Sequence, residues 1–321
     1  MSKFSSVLCT LTLIFLFGCD STKKIEKSEG EGAAKSADSP VEQVEASLPS
    51  ATDKNPAIAD QNSDIPKSSG NIPFSLKFLS WNVESDGAKP ATISKQLSEM
   101  GKYDVIALTE VLPGASAGFC KAFGDDYQYV MGETGRNDRM MLIYNTNSLK
   151  YIRKFELHDV NYKRKYRSPL VVHFQDLLTG KELLVMVNHL ARGSEEARQL
   201  QAKKLVQWAR QESMPIVALG DYNFDYVFET RGGNEAFRLF MKDSVWEWVE
   251  PVELVDTNWY DNPQEPDGKD DYPGSMLDFV FVAGPAKDWT KSCKIIVRDG
   301  DFPDSEQTSD HRPYELIVSG K

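Results

Sequence analysis

Ala218-Leu219-Gly220-Asp221-Tyr222-Asn223-Phe224-Asp225 joins an apolar run to a polar one, and the rest of the chain is arranged around it. Ile216 to Leu219, after Met214-Pro215, reads as a short strand buried on both faces that stops at Gly220, where glycine permits a close turn. Asp221 and Asn223 are two apart, so wherever extended geometry persists their side chains point the same way. A carboxylate and an amide side by side at a strand's end can hold an anion or an attacking water. Gly-Asp-x-Asn alone is equally the composition of an ordinary turn. Four more stretches end apolar runs in similar chemistry: Leu79-Ser80-Trp81-Asn82, Ala107-Leu108-Thr109-Glu110, Met186-Val187-Asn188-His189 and Ser309-Asp310-His311-Arg312-Pro313. A further carboxylate, Asp278, sits inside the strand-like run from Met276 to Val282.

The net charge of the 321 residues is -11, which argues against a general nucleic-acid coating protein, since such proteins carry a basic excess. It leaves room for an enzyme acting on nucleic acid, because a bound divalent cation and a few local arginines can supply the missing positive field. Met1 to Cys19 reads as an export signal: Lys3 is the positive start, and Val7 to Phe17 an apolar region too short to span a bilayer. Leu16-Phe17-Gly18-Cys19 resembles a bacterial lipobox, which implies cleavage after residue 18 and lipidation of Cys19. An extracytoplasmic, membrane-anchored protein is expected, the choice of inner or outer membrane being left open. Residues 19–72 are rich in Ser, Ala, Glu, Lys, Asp and Pro and lack aromatic side chains, so they read as a disordered tether. At about 5–6 Å times the square root of residue number, such a tether reaches tens of ångströms. Cys120 and Cys293 are then the cysteines of the folded part, read as free buried thiols, although an exported compartment permits a disulfide.

One domain, 73–321, follows. Ser75 to Val83 and Asp104 to Val111 read as strands joined by a helix from Pro90 to Met100, a βαβ start with polar residues at the strand ends. Pro113 to Phe123 reads as helical, and Tyr127 to Gly132 and Arg139 to Tyr144 as strands. Pro169 to Asp176 and Leu183 to His189 form a hairpin across Leu178-Thr179-Gly180-Lys181. Ser194 is a candidate N-cap for a helix running towards Gln211, and Glu195-Glu196 suit its positive end. The Arg198-x-x-Gln201-Ala202-x-x-Leu205 pattern reads as an amphipathic packing face. Pro251 to Gly274 is a long acidic loop whose aromatics, Trp259, Tyr260 and Tyr272, either stack on a substrate or pin the loop. Strands at Cys293 to Val297 and Tyr314 to Val318 close the chain.

In their order, these strand-end motifs resemble the endonuclease/exonuclease/phosphatase family, which includes deoxyribonuclease I, apurinic endonucleases, neutral sphingomyelinases and inositol polyphosphate 5-phosphatases. The resemblance implies an α/β four-layer sandwich, two packed and mainly antiparallel sheets flanked by helices, and hydrolysis of a phosphate ester with magnesium or manganese (Mg2+ or Mn2+). It puts Asn82, Glu110 and Asp310 at the metal: Glu110 and Asp310 are hard oxygen ligands suited to such ions, and Asn82 can add a neutral oxygen or orient a bound water. His189 and His311 are implied proton carriers, with Asp278 orienting His311 and Asp138, placed by the strand Met141-Leu142-Ile143-Tyr144, orienting His189. Asp221 would orient or deprotonate the attacking water, and Asn223 would hold a nonbridging phosphate oxygen. Arg167, in Arg167-Ser168-Pro169, resembles a family arginine that contacts phosphate. His158 and His173 lie outside every motif and read as structural. Many family members carry a basic residue just before the counterpart of Leu277-Asp278, where this chain has Ser275-Met276, which puts the substrate in question.

The resulting expectation is a monomeric, lipid-anchored phosphodiesterase, nuclease-like in substrate, with a phospholipid or small phosphate ester as the alternative. A calcineurin-like dinuclear phosphatase needs an early Asp-x-His and more than the chain's four histidines. A non-enzymatic anchored binding protein would not need so full a set of acids, histidines and asparagines.

Overall fold

The chain is described from a computed structural model that covers residues 73–85, 87–303 and 307–320, all within one compact unit. The expected signal peptide (1–18), Cys19 and the tether (19–72) lie outside the described residues. In chain order the elements are β1 (Phe74–Asn82), α1 (Pro90–Glu99), β2 (Val105–Val111), α2 (Ser116–Lys121), β3 (Tyr127–Met131), β4 (Arg139–Asn145), β5 (Leu149–Glu156), β6 (Leu170–Asp176), β7 (Glu182–His189) and α3 (Glu195–Gln211). There follow β8 (Ile216–Val227), α4 (Glu235–Met241), β9 (Trp246–Trp248), β10 (Ser275–Ala283), β11 (Thr290–Ile295) and β12 (Tyr314–Gly320).

The strands form two six-stranded sheets, ordered β11-β12-β1-β2-β4-β3 and β5-β6-β7-β8-β10-β9. Each sheet has one parallel pair, β1 with β2 and β7 with β8, and each of these pairs is bridged by a helix, α1 or α3. The other pairings are antiparallel, so both sheets are mixed. Alternation along β1 explains the layering. Phe74, Leu76 and Phe78 face the core between the sheets, while Leu79 and Trp81 face a second core with Ile93 and Leu97 of α1 and Phe119 of α2. On the far side, Ala202, Leu205 and Ala209 of α3 and Phe240 of α4 cover the second sheet. The expected four-layer sandwich is what the structure contains.

The hairpin β6-β7, the βαβ start and α3 form as expected, with Ser194 Oγ accepting from Ala197 N at 3.3 Å as the N-cap. Cys120 and Cys293 are both free and buried. Three elements had no counterpart in the sequence reading. β5 is an edge strand whose Lys150 to Lys154 are all exposed, so it shows no apolar alternation. α4 and β9 are only seven and three residues long, too short for a periodic signal.

The strand expected to stop at Leu219 does not stop there. β8 continues to Val227 and keeps pairing with β7 and β10 through Asp221. Gly220 serves a close approach between strands instead of a turn: its φ is +131°, and a Cβ there would lie 2.1 Å from the Asn188 carbonyl oxygen of β7. The clash would be with backbone, which cannot rotate away. Gly220→Ala is therefore expected to cost about 3 kcal/mol of folding stability, read as a lower urea midpoint at unchanged slope.

Candidate active site

Sheet register delivers the reactive groups. In the second sheet His189 of β7 stands opposite Asp221 of β8, and Asp221 opposite Asp278 of β10, a single row across three strands. The first sheet brings Asn82 at the end of β1 and Glu110 near the end of β2, where the register shifts between Leu108 and Val111 and Glu110 takes a left-handed φ of 56°. A turn before β12 supplies the third side. Ser309 Oγ donates to the Asn82 carbonyl at 2.6 Å and accepts from His311 N at 3.0 Å, and Trp81 Nε1 donates to the His311 carbonyl at 2.8 Å.

Glu110, His189 and Asp221 each offer a ligand atom within 4.8 Å of the others. His189 Nε2 is 3.5 Å from Asp221 Oδ2 and 3.7 Å from Glu110 Oε1. Asn82 Nδ2 donates to Glu110 Oε1 at 2.9 Å and to Asp221 Oδ2 at 3.3 Å, while its Oδ1 accepts from Glu84 N at 3.0 Å. Asn82 thus reaches the cluster through its nitrogen, and its expected oxygen donor is turned to the backbone. Asp310 lines the same pocket but stands outside the tight group, its Oδ1 3.8 Å from His311 Nε2. Two carboxylates on one amide, with an imidazole beside them, form a donor set that a divalent cation fits, because it offsets their mutual repulsion.

Each imidazole has a carboxylate behind it. His311 Nδ1 is 2.7 Å from Asp278 Oδ2, both groups being buried. Burial works against the imidazolium, but Asp278, Asp310 and Asp221 together raise the His311 pKa well above the ordinary imidazole value. Burial pushes Asp278 up to about 6 against the pull of His311, so the two titrate as a pair. Tyr314 Oη donates to the Asp278 carbonyl at 2.7 Å, and Thr257 Oγ1 accepts from Leu277 N at 3.0 Å, which fixes β10 at this point. On the other side His189 Nδ1 faces Asp138 Oδ1 at 3.4 Å as an ion pair, and neither atom makes a hydrogen bond. Burial opposes the Asp138 charge, yet His189 and Arg167 hold its pKa below the usual value.

Arg167, expected at a phosphate, pairs with the acid that faces His189. Its Nη1 is 2.8 Å from Asp138 Oδ2, and it lines a neighbouring cavity, not the pocket of the histidines. Asn223, at φ 52°, leaves the extended geometry; its N donates to Asp221 Oδ1 at 2.9 Å and its Nδ2 to the Leu190 carbonyl at 3.1 Å. It still lines the pocket. Asn188 points away, donating to Tyr222 Oη at 2.9 Å inside the core. His158 and His173 pair with Ser168 and Glu182, consistent with structural roles.

The pocket has a volume of about 430 Å3 and contains residues that the sequence did not single out, Arg192 and Asn258 among them. Arg192 reaches it because α3 grips the chain after His189: buried Arg198 donates through Nη1 to the Ala191 and Arg192 carbonyls, each at 2.8 Å, and Gln201 Oε1 accepts from Ala191 N at 2.9 Å. Arg192 itself pairs with Asp225. Asn258 belongs to the long acidic loop, which is stitched to the Asp310-His311 turn by an isolated bridge from Asn258 to His311 and by Trp259 N donating to the Asp310 carbonyl at 2.8 Å. Of the loop aromatics, Trp259 packs on Phe302, while Tyr260 and Tyr272 lie against each other with ring centroids 5.9 Å apart and are exposed at the pocket.

The sequence pattern described as the Endonuclease/Exonuclease/phosphatase family matches residues 79–311. The chain belongs to that family. Its members are phosphoesterase hydrolases, generally dependent on a divalent metal, and the acid and histidine cluster at Glu110, His189 and Asp221 accords with this. No curated protein matches the sequence. Among solved structures, a family member from Bacteroides thetaiotaomicron is similar at 17% identity and TM-score 0.60, over 78% of this chain and 96% of its own. TDP2 from D. rerio, solved with a single-strand DNA product, is similar at 16% and 0.59, over 77% and 99%. A mannosyl-6-phosphatase from Bacteroides thetaiotaomicron VPI-5482 is similar at 17% and 0.56, over 76% and 99%. At these identities the likeness is one of fold.

The raised His311 pKa yields a direct test. Because surrounding carboxylates hold the proton, Asp278→Asn removes the nearest one and should bring the imidazole pKa down towards its ordinary value, followed by NMR titration of the His311 ring in the metal-free protein. An unmoved His311 signal would show that Asp278 does not hold that proton.

Proposed function

We propose that this family phosphoesterase is a divalent-metal-dependent hydrolase of phosphodiester bonds, nuclease-like in substrate, and that lipid on Cys19 holds it outside the cytoplasm. The observation that carries the reading is a pair of buried imidazoles, each backed by its own carboxylate, opening with Glu110 and Asp221 into one pocket. Hydrolysis adds water across a P–O bond, so the site must move one proton from the water and one to the leaving oxygen.

Glu110 and Asp310, carboxylates of the same pocket, would hold a magnesium or manganese ion, which when bound supplies positive charge to the phosphate. Asp221 takes the proton of the attacking water, its Oδ1 being fixed by Asn223 N. His311, kept protonated by the acids around it, donates to a nonbridging oxygen as charge grows there. His189, positioned by Asp138, protonates the leaving alkoxide as the P–O bond breaks, giving an alcohol and a phosphomonoester. Arg192 is the cationic side chain lining the pocket, and it stands in for the basic residue missing before Asp278. The loop acids near Tyr260 and Tyr272 disfavour a wide polyanion such as duplex nucleic acid and leave a single strand the better fit.

With magnesium, the purified protein is expected to hydrolyse bis-p-nitrophenyl phosphate and oligonucleotides, and chelation to abolish turnover. Asp221→Ala and His311→Ala should each lower kcat by about 10²–10⁴-fold. Variants that retain full turnover would sink the assignment, and hydrolysis of phospholipid or of a phosphate monoester alone would move the substrate to that class. The anchor is checked separately: the protein should incorporate labelled fatty acid and sediment with membranes, and Cys19→Ser should do neither.

A further inference from the structure

Beside the catalytic pocket lies a second cavity, of about 900 Å3, and its charge is opposite to that of the chain. Arg136, Arg139, Arg164, Lys165 and Arg167 line it, in a protein whose net charge is -11. The acid on its wall, Glu133, turns to Lys154 at 3.2 Å. Arg167 is occupied by Asp138, but Arg136, Arg139, Arg164 and Lys165 take part in no ion pair among the described residues. Arg139 donates through Nε to the Arg136 carbonyl at 2.9 Å, which leaves its charge uncompensated; cations that converge without anionic partners repel one another, and an anion between them removes that cost.

The cavity is built by two cross-braced segments. Buried Asn161 clamps the 161–166 turn from both sides, its Oδ1 accepting from Tyr166 N at 2.9 Å and its Nδ2 donating to the Tyr166 carbonyl at 2.5 Å. The 132–139 segment is tied down by Glu156 Oε1, which accepts from Glu133 N at 2.8 Å, and by Thr134 Oγ1, which accepts from Ser168 N at 2.8 Å. The two segments touch where Gly135 meets Arg167: a Cβ on Gly135 would lie 2.7 Å from Arg167 Cγ.

Continuity with the reacting centre gives this cavity its meaning. Arg167 Nη1 is 2.8 Å from Asp138, and Asp138 is 3.4 Å from His189, so one line of side chains forms the wall between the two hollows. We propose that the basic cavity binds a second phosphate group of the substrate, the next phosphate along a nucleotide strand, while the scissile phosphate sits at His189 and His311. This rests on the phosphodiesterase reading of the catalytic pocket. It separates strands, which carry a phosphate at every step, from phospholipid diesters that present only one.

The test compares the protein with the triple variant Arg136→Ala/Arg164→Ala/Lys165→Ala, whose side chains are exposed, after thermal melts establish that both are folded. With magnesium, kcat/KM is measured for bis-p-nitrophenyl phosphate, for an eight-nucleotide single strand and for an inositol trisphosphate. The ratio of strand to bis-p-nitrophenyl phosphate should fall by about 10–100-fold, through KM, and the salt dependence on the strand should flatten, as expected when phosphate contacts are lost. A ratio that does not fall on either multiply phosphorylated substrate overturns the subsite; a fall confined to the inositol phosphate keeps the subsite and overturns the strand. If the unaltered protein hydrolyses nothing, the phosphodiesterase reading fails on its own, and calorimetric titration with inorganic tripolyphosphate decides the cavity. Binding abolished in the triple variant supports an anion site, and no binding to the unaltered protein overturns it.

Discussion

The alignment of three neighbouring strands, His189 against Asp221 against Asp278, is the constraint on which the rest of the site depends. A slip of one residue in either pairing would send one member of the row to the opposite face of the sheet. Gly220 makes the alignment reachable, because β8 passes the Asn188 carbonyl at a distance that leaves no room for a side chain. The first sheet adds Asn82 and Glu110 to the same end, through the parallel pair that α1 closes. The site thus lies where two separately organised sheets present strand ends to each other.

Gathering so many titratable groups in the interior is costly unless each charge has a partner. His189, Asp221, Asp278 and His311 are all nearly inaccessible to solvent. The molecule meets that cost by pairing imidazole with carboxylate twice, His311 with Asp278 and His189 with Asp138. These pairs also set the roles. An imidazole that turns Nδ1 to its carboxylate has its Nε2 free for chemistry, and the surrounding acids decide how tightly His311 keeps its proton. Asp138 carries this logic outward, since Arg167 on its other oxygen joins the acidic centre to a basic wall. A chain with an overall negative charge can still serve an anionic substrate if its cations are concentrated where the substrate lies.

Much of the scaffolding is done by residues with no reactive role. Arg198 and Gln201 read as part of a packing face, and α3 does pack on the second sheet; but their polar ends hold the carbonyls and amide of Ala191 and Arg192, which follow His189. Ser309 and Trp81 do the same for His311. Polar groups of this kind bond to backbone, so they stiffen the chain next to the histidines from behind without entering the pocket.

The sequence by itself determined where most of the strands lie and what chemistry the polar residues at and beyond their apolar runs carry, because apolar runs, turn residues and helix caps are local signals. From these came β1, β2, the β6-β7 hairpin, α3 and the set Glu110, His189, Asp221, Asp278, Asp310 and His311, all of which the structure brings to one end of the sandwich. Local signals failed where periodicity had nothing to report, at the exposed edge strand β5 and the short β9, and where a strand stayed paired past its apolar part, as β8 does beyond Leu219. The tertiary structure alone decided that Asn82 turns its nitrogen to Glu110, that Arg167 is held by Asp138, that Arg192 reaches the pocket, and that four unpaired cations share a cavity. Such facts depend on partners tens to hundreds of residues away, and those meet only through sheet register and packing, which no window of neighbouring residues contains.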